Sequence, residues 1–269
     1  METAYNQHLG AAAERPHEYG ERVHILGDAF SLSMLGRLCS AESTQPEFNR
    51  LISELYRHLF VRVVNTVFPT KVVEIDTRMK ELDDAGTFRG RTLDPETPLV
   101  VVDVARAGIL PAQVCYDLAN SLFNPQNVRQ DHLVMARTTD DDGQVTGAAI
   151  LAEKVGGTIQ DAWVLFPDPM GATGGSLAAA IDHYLESHGT PKRIIAMCLM
   201  ITPNLVRAFR ERHPNVELFA LRLDRGKSSA DVLQKPLGAD IAAENGLTDI
   251  DYIVPGGGGF GELMNNSWV

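Results

Sequence analysis

An apolar run at residues 163–166 leads into Asp168-Pro169-Met170-Gly171-Ala172-Thr173-Gly174-Gly175-Ser176, and residues 177–187 then carry apolar side chains at helical spacing. A small-residue loop between a buried strand and a helix is an anion cradle. Backbone N–H groups at the helix start point at a phosphate, the glycines let it come close, and Thr173 and Ser176 add hydroxyl donors. Asp168 needs a different partner. A carboxylate beside a phosphate suits ribose hydroxyls, or a Mg²⁺ ion carried in by the ligand. No Lys follows the glycine pair and no GxGxxG occurs, so neither an ATP P-loop nor a dinucleotide fingerprint applies.

Arg106 ends a second apolar strand, residues 99–104, at the carboxyl edge of the expected sheet, where α/β proteins bind ligands. Its guanidinium can fork onto pyrophosphate, and Ala107 and Gly108 let the backbone approach the anion. Near the end of the chain, Tyr252-Ile253-Val254-Pro255 runs into four consecutive glycines, Gly256 to Gly259, and then Phe260. Such a segment offers bare backbone donors and acceptors to a flat ligand, and a pyrimidine edge fits that pattern. Arg137 and Lys154 flank an acidic turn, residues 140–142, and by themselves read as solvated charges on edge strands. His183 and His188 lie five apart and make a poor metal pair, so they read as solvated helix-face residues. With no GxSxG and no HExxH, hydrolase and zinc-protease readings have no anchor.

The elements that must position these groups follow from periodicity. Residues 32–39 and 47–67 carry apolar side chains at three- and four-residue steps and predict two helices. From residue 99 onward, short β-branched runs alternate with glycine-containing turns and helices, the pattern of a mostly parallel α/β sheet flanked by helices. Strands are expected at 99–104, 163–166, 193–200 and 216–223, with helices at 112–122, 177–187 and 205–212. Residues 132–155 read as a projecting β arm, and 225–245 as an inserted surface segment. Residues 1–22 lack periodicity and form an arm, mobile or docked, ahead of a single domain at 23–269.

The chain has 269 residues, 44% of them hydrophobic, enough for one sizeable core and against disorder. Its formal charge of −11 opposes binding to nucleic acid or anionic membranes, so any anion site must be local. Cys39, Cys115 and Cys198 form no metal or redox spacing, and no apolar run spans a membrane. A cytoplasmic protein is expected.

The loop at 168–176 resembles the phosphoribosyl-pyrophosphate loop of the uracil phosphoribosyltransferases, Asp-Pro-Met-Leu-Ala-Thr-Gly-Gly-Ser, departing only at Gly171. Arg106-Ala107-Gly108 is similar to that family's pyrophosphate turn, and Tyr252 to Gly256 to its uracil-binding segment, in the family's order. Shorter matches occur at Glu47-Phe48-Asn49-Arg50, Glu74-Ile75-Asp76-Thr77 and His213-Pro214-Asn215-Val216. The resemblance implies a type I phosphoribosyltransferase fold and a homo-oligomer. The implied reaction is uracil plus phosphoribosyl pyrophosphate giving uridine monophosphate and pyrophosphate, with Mg²⁺ arriving on the donor and no metal site of the protein's own. It further implies Arg106, Arg137 and Asp168 as catalytic residues, the loop as donor site, and Tyr252, Ile253, Gly258, Gly259 and Phe260 as base-binding residues. Lys154 falls where the family often has Lys. Where the family continues Pro-Gly-Leu-Gly-Asp-Ala-Gly-Asp-Arg, this chain has Gly259 for the first Asp, Glu262 for the second and Leu263 for the Arg. Those departures keep two alternatives open, a non-catalytic sensor of the donor or a nucleotide, and a transferase for another base.

Overall fold

The computed structural model describes residues 14–139 and 145–268, and side chains at 137–139 and 145–147 fall outside that description, as do the acidic turn at 140–142 and residues 1–13 of the expected arm. Strands β4 (Leu99–Ala105), β7 (Trp163–Pro167) and β9 (Arg193–Ile201) are nearly unbroken runs of buried apolar side chains. That composition belongs to strands covered on both faces. Along β4 the alternation is strict: Leu99 and Val101 join one core cluster, Val100, Val102 and Val104 the other.

With β1 (Val23–Ile25), β5 (Val128–Thr139), β6 (Val145–Lys154), β8 (Met170–Gly171) and β10 (Glu217–Leu223) they form one sheet, ordered β1-β10-β9-β7-β4-β5-β6, with β8 on β9. Every pairing is parallel except β5 with β6, which forms the expected arm. One face carries α1 (Ala29–Leu38), α2 (Glu47–Val67) and α3 (Ile109–Leu122); the other carries α4 (Gly175–Ser187) and α5 (Pro203–Arg212). In α2 the buried positions 48, 51, 52, 55, 56, 59, 60, 63 and 64 trace one stripe, which is why its limits were readable from spacing. Strands β2 (Thr70–Asp76) and β3 (Thr87–Leu93), which periodicity did not predict, pair as a separate antiparallel hairpin.

Helix starts differ in how they are capped. Asp28 accepts from the Ser31 N–H at the start of α1, and Thr202 accepts from the Leu205 N–H at the start of α5. Gly108 and Gly174, at the starts of α3 and α4, supply no side-chain cap.

Residues 225–245 are stitched to the N-terminal segment rather than lying loose on the surface. The Tyr19 hydroxyl and Arg225 Nη1 both donate to the buried Glu244 carboxylate, each at 2.5 Å, and the Glu18 N–H donates to the Leu237 carbonyl at 2.8 Å. Arg207 of α5 donates to the Glu244 carbonyl at 2.8 Å. This segment, with its short helix α6 (Ala230–Leu233), is thereby tied to residues 17–19 ahead of β1 and to α5.

Candidate functional site

A cleft of ≈ 640 Å³ opens at the carboxyl edge of β4 and β7, where the strands hand over to α3 and α4. Arg106, Ala107, Asp168 and residues 170–176 line one side, and Tyr252, Ile253, Gly258, Gly259 and Phe260 line the other. Three segments far apart in the chain thus meet around one space. Pro169 and Gly108 are not among the lining residues. The Pro169 carbonyl accepts from the N–H groups of Leu199 (3.2 Å) and Met200 (3.3 Å), which pins the back of the loop to β9. Gly108 starts α3 against β4, where a side chain would meet the Val104 carbonyl oxygen at 2.7 Å. Arg137 lies one residue beyond Ala136, a lining residue, and pairs with Ala148 of β6; its side chain is outside the described residues.

The loop at 168–176 is held from below and lines the cleft above. Asp168 donates its N–H to the Met197 carbonyl (3.0 Å) and accepts from the Met170 N–H (3.1 Å). Thr202 donates to the Ala172 carbonyl at 2.6 Å, and Thr173 Oγ1 accepts from the Gly175 N–H at 3.3 Å. The first N–H groups of α4 have no intrahelical partner, and the residues that carry them, Gly175, Ser176 and Leu177, line the cleft. Gly171 departs from the resembling family's Leu for a visible reason. A Cβ there would stand 2.8 Å from Leu205 Cδ1 and 2.9 Å from Ile201 Cγ2, so neighbouring side chains already fill the space.

Across the cleft, Leu247 and Ile253 form an isolated antiparallel bridge, with Thr248 donating to the Tyr252 carbonyl (2.9 Å) and Val254 to the Gly246 carbonyl (2.8 Å). That makes Leu247 and Ile253 the non-hydrogen-bonded pair, so the N–H and C=O of Ile253 point out of the ladder. Gly256 has φ +58°, and any Cβ there would overlap the Ile253 carbonyl oxygen, so the turn after Ile253 requires glycine. Asp224 accepts from the Gly256 N–H (2.9 Å), while Arg222 donates to Asp224 (2.5 and 2.7 Å) and to the Gly256 carbonyl (3.0 Å), fixing the turn to the end of β10.

A short helix, α7 (Phe260–Asn265), completes this wall. Phe260 packs edge-on against Phe48 at 5.1 Å between centroids, and Asn49 donates to the Met264 carbonyl at 3.1 Å. Glu262 is the site residue whose place the sequence did not convey. Its Oε1 lies 3.6 Å from Arg106 Nη2, and a Cβ added at Gly259 would meet its Oε2. The carboxylate of Glu262 thus reaches back to the space beside position 259. Arg106 Nη1 also donates to Ser267 Oγ at 3.1 Å, so its guanidinium sits between the two walls. Only the three-residue return from Gly259 to Glu262 on α7 hints at this in sequence. Among the described residues, no helix is long and apolar enough to cross a membrane.

A family model described as uracil phosphoribosyltransferase matches residues 28–242. The chain is similar to a protein named uracil phosphoribosyltransferase from Dictyoglomus turgidum (strain DSM 6724 / Z-1310), with 28% identity over 224 residues, 83% of this chain and 89% of that protein. It is similar also to one of the same name from Lactococcus lactis subsp. cremoris (strain MG1363), at 27% identity over 233 residues, 87% of this chain and 91% of that protein. Among solved structures, the AQ2163 protein from Aquifex aeolicus shares the fold, with a TM-score of 0.68 at 19% identity over 90% of this chain and 97% of that one.

Proposed function

The chain belongs to the uracil phosphoribosyltransferase family and is a phosphoribosyltransferase, and on that premise we propose that its acceptor base is uracil, converted with phosphoribosyl pyrophosphate to uridine monophosphate and pyrophosphate. The observation that carries this reading is the meeting, across one cleft, of an uncapped helix start, an arginine and a turn presenting the backbone of Ile253. Phosphate, departing anion and flat base each find a matching partner there.

In this reading residues 168–176 hold the donor's 5′-phosphate and ribose, with the α4 N–H groups on the phosphate and Asp168 on the ribose hydroxyls. The bond from C1′ to the pyrophosphate oxygen breaks as the bond from C1′ to uracil N1 forms, and the proton of N1 passes to the departing pyrophosphate. Negative charge grows on the leaving pyrophosphate, where Arg106, with Arg137, stabilises it; Mg²⁺ enters as part of the donor. Positive charge grows on the ribose ring, so orientation and electrostatics carry the step without a protein nucleophile. Uracil's N–H flanked by two carbonyls pairs with backbone at Ile253 and along 258–260. Glu262 supplies the carboxylate that the family's Asp would bring from position 259, since its side chain stands in that space. Homo-oligomeric assembly and a cytoplasmic setting belong to the same proposal.

The test is pyrophosphate release from phosphoribosyl pyrophosphate and Mg²⁺, with and without uracil and over a panel of other bases. Uracil-dependent release supports the assignment. Release only with another base moves the substrate, whereas donor-induced thermal stabilisation without release from any base makes the protein a non-catalytic sensor.

A further inference from the structure

Away from the cleft, the carboxyl end of α4 meets the end of β6. His183 Nε2 lies 2.5 Å from Glu153 Oε2, and His188 Nε2 lies 3.7 Å from the same oxygen. Ligand atoms of the three residues all fall within 4.8 Å of one another. The two imidazoles stand edge to face with centroids 5.4 Å apart, and His188 Nε2 is buried with no hydrogen bond among the described residues.

The sequence reading of these histidines as solvated helix-face residues is corrected here. Five steps along an ideal helix turn a side chain by about 140°, which argued against a shared ligand. But α4 stops at Ser187, and His188 follows as its C-cap with φ −121° and ψ 1°, so its ring swings back beside His183. Glu153 arrives from β6, opposite Leu133 of β5, where no local pattern could pair it with either histidine.

We propose that Glu153, His183 and His188 form a binding site for one divalent transition-metal ion of the zinc class. Two imidazoles and a carboxylate are a donor set suited to such ions, and three protein ligands leave a fourth position for water. Ligand atoms on a tetrahedral ion with bonds of about 2.0–2.1 Å stand about 3.3 Å apart. The His183–Glu153 contact would open by roughly 1 Å and the His188–Glu153 separation would close by less, small movements for a Glu153 side chain that is 40% exposed. A hydrogen bond between His183 and Glu153 alone leaves His188 Nε2 unused; an ion engages all three. The negative end of the α4 dipole adds to the attraction for a cation. Beneath the site, Asp131 is held by Arg129 and the Tyr184 hydroxyl, and the Tyr184 ring lies 5.1 Å from that of His188. A bound ion would tie the outer strand of the arm to α4.

Zinc ion alone, titrated calorimetrically into the metal-free full chain, tests the site. The expected result is saturable binding of one Zn²⁺ per chain, a rise in melting temperature reversed by chelator, and with Co²⁺ a visible absorption band of a tetrahedral complex. His183→Ala, His188→Ala and Glu153→Gln should each weaken zinc binding by about tenfold or more, while metal-free melting and the rate of pyrophosphate release stay as in the parent. Absence of saturable binding, or losses below about threefold in all three variants, overturns the proposal.

Discussion

The amino ends of α1 and α4 carry the same unpaired N–H groups and meet them in opposite ways. At α1 the chain supplies its own anion: Asp28 accepts from the Ser31 N–H at 3.0 Å and from the Ser31 hydroxyl at 2.8 Å, with His58 at 3.1 Å. At α4 the cap is Gly174, which has no side chain; only the Thr173 hydroxyl reaches in, accepting from the Gly175 N–H at 3.3 Å, and the first residues of the helix line the cleft. Internal satisfaction stabilises the fold; an open end stores the same electrostatic attraction for a ligand. The difference fits the proposal that α4, not α1, is the end that serves binding.

Breaking the open end should have the largest effect. Arg106→Ala, which removes a cation lining the same cleft as the start of α4, is expected to lower the rate of pyrophosphate release by about 10²–10³-fold with little change in melting temperature; an unchanged rate would remove Arg106 from the site. Gly171→Leu probes how the open loop is supported. Overpacking against Leu205 and Ile201 should cost about 1–3 kcal/mol in a urea melt, and a neutral result would mean the floor of the loop yields freely.

Converting α4 to the α1 solution sharpens the contrast. Thr173→Asp places a carboxylate at the open end and should raise the KM for the phosphoribosyl donor by about tenfold without lowering the melting temperature. The smallest effect belongs to the end that already has its anion: Asp28→Ala should cost about 1 kcal/mol and leave the rate of transfer alone.

Acid titration gives that last comparison a sign. Burial pushes the Asp28 carboxyl up, but the Ser31 N–H and hydroxyl and His58 outweigh it and hold the group at about 2. Its folded value lies below the ordinary carboxylate range, so its stabilisation is present above about pH 4 and is lost as pH falls toward about 2. Stability measured between those limits should fall less steeply in Asp28→Ala than in the parent.

Much of this was legible because local and global preferences agreed. The stripe from Phe48 to Val64 marks α2, and the small residues after β7 mark the loop, since both signals lie within a few neighbouring residues. The missing parts depend on partners distant in sequence. Tyr19, Arg225 and Glu244 read as surface residues until they meet one another, and Glu153 joins two histidines only through the sheet. The β2–β3 hairpin escaped because Val72, Ile75 and Phe88 are exposed, so no buried face imposes alternation. Glu262 was visible as a retained charge, but only the backward reach of its side chain puts the carboxylate beside Gly259.

The outermost strand also orders events in time. Val23, His24 and Ile25 of β1 pair with Leu218, Phe219 and Ala220 of β10, so β1 finds its neighbour only after the long stretch of chain between them has been synthesised. Long-range parallel pairing is slow because a large loop must close before any contact rewards it. On the ribosome, the unpaired edge of β1 must therefore be kept from foreign strands until β10 appears.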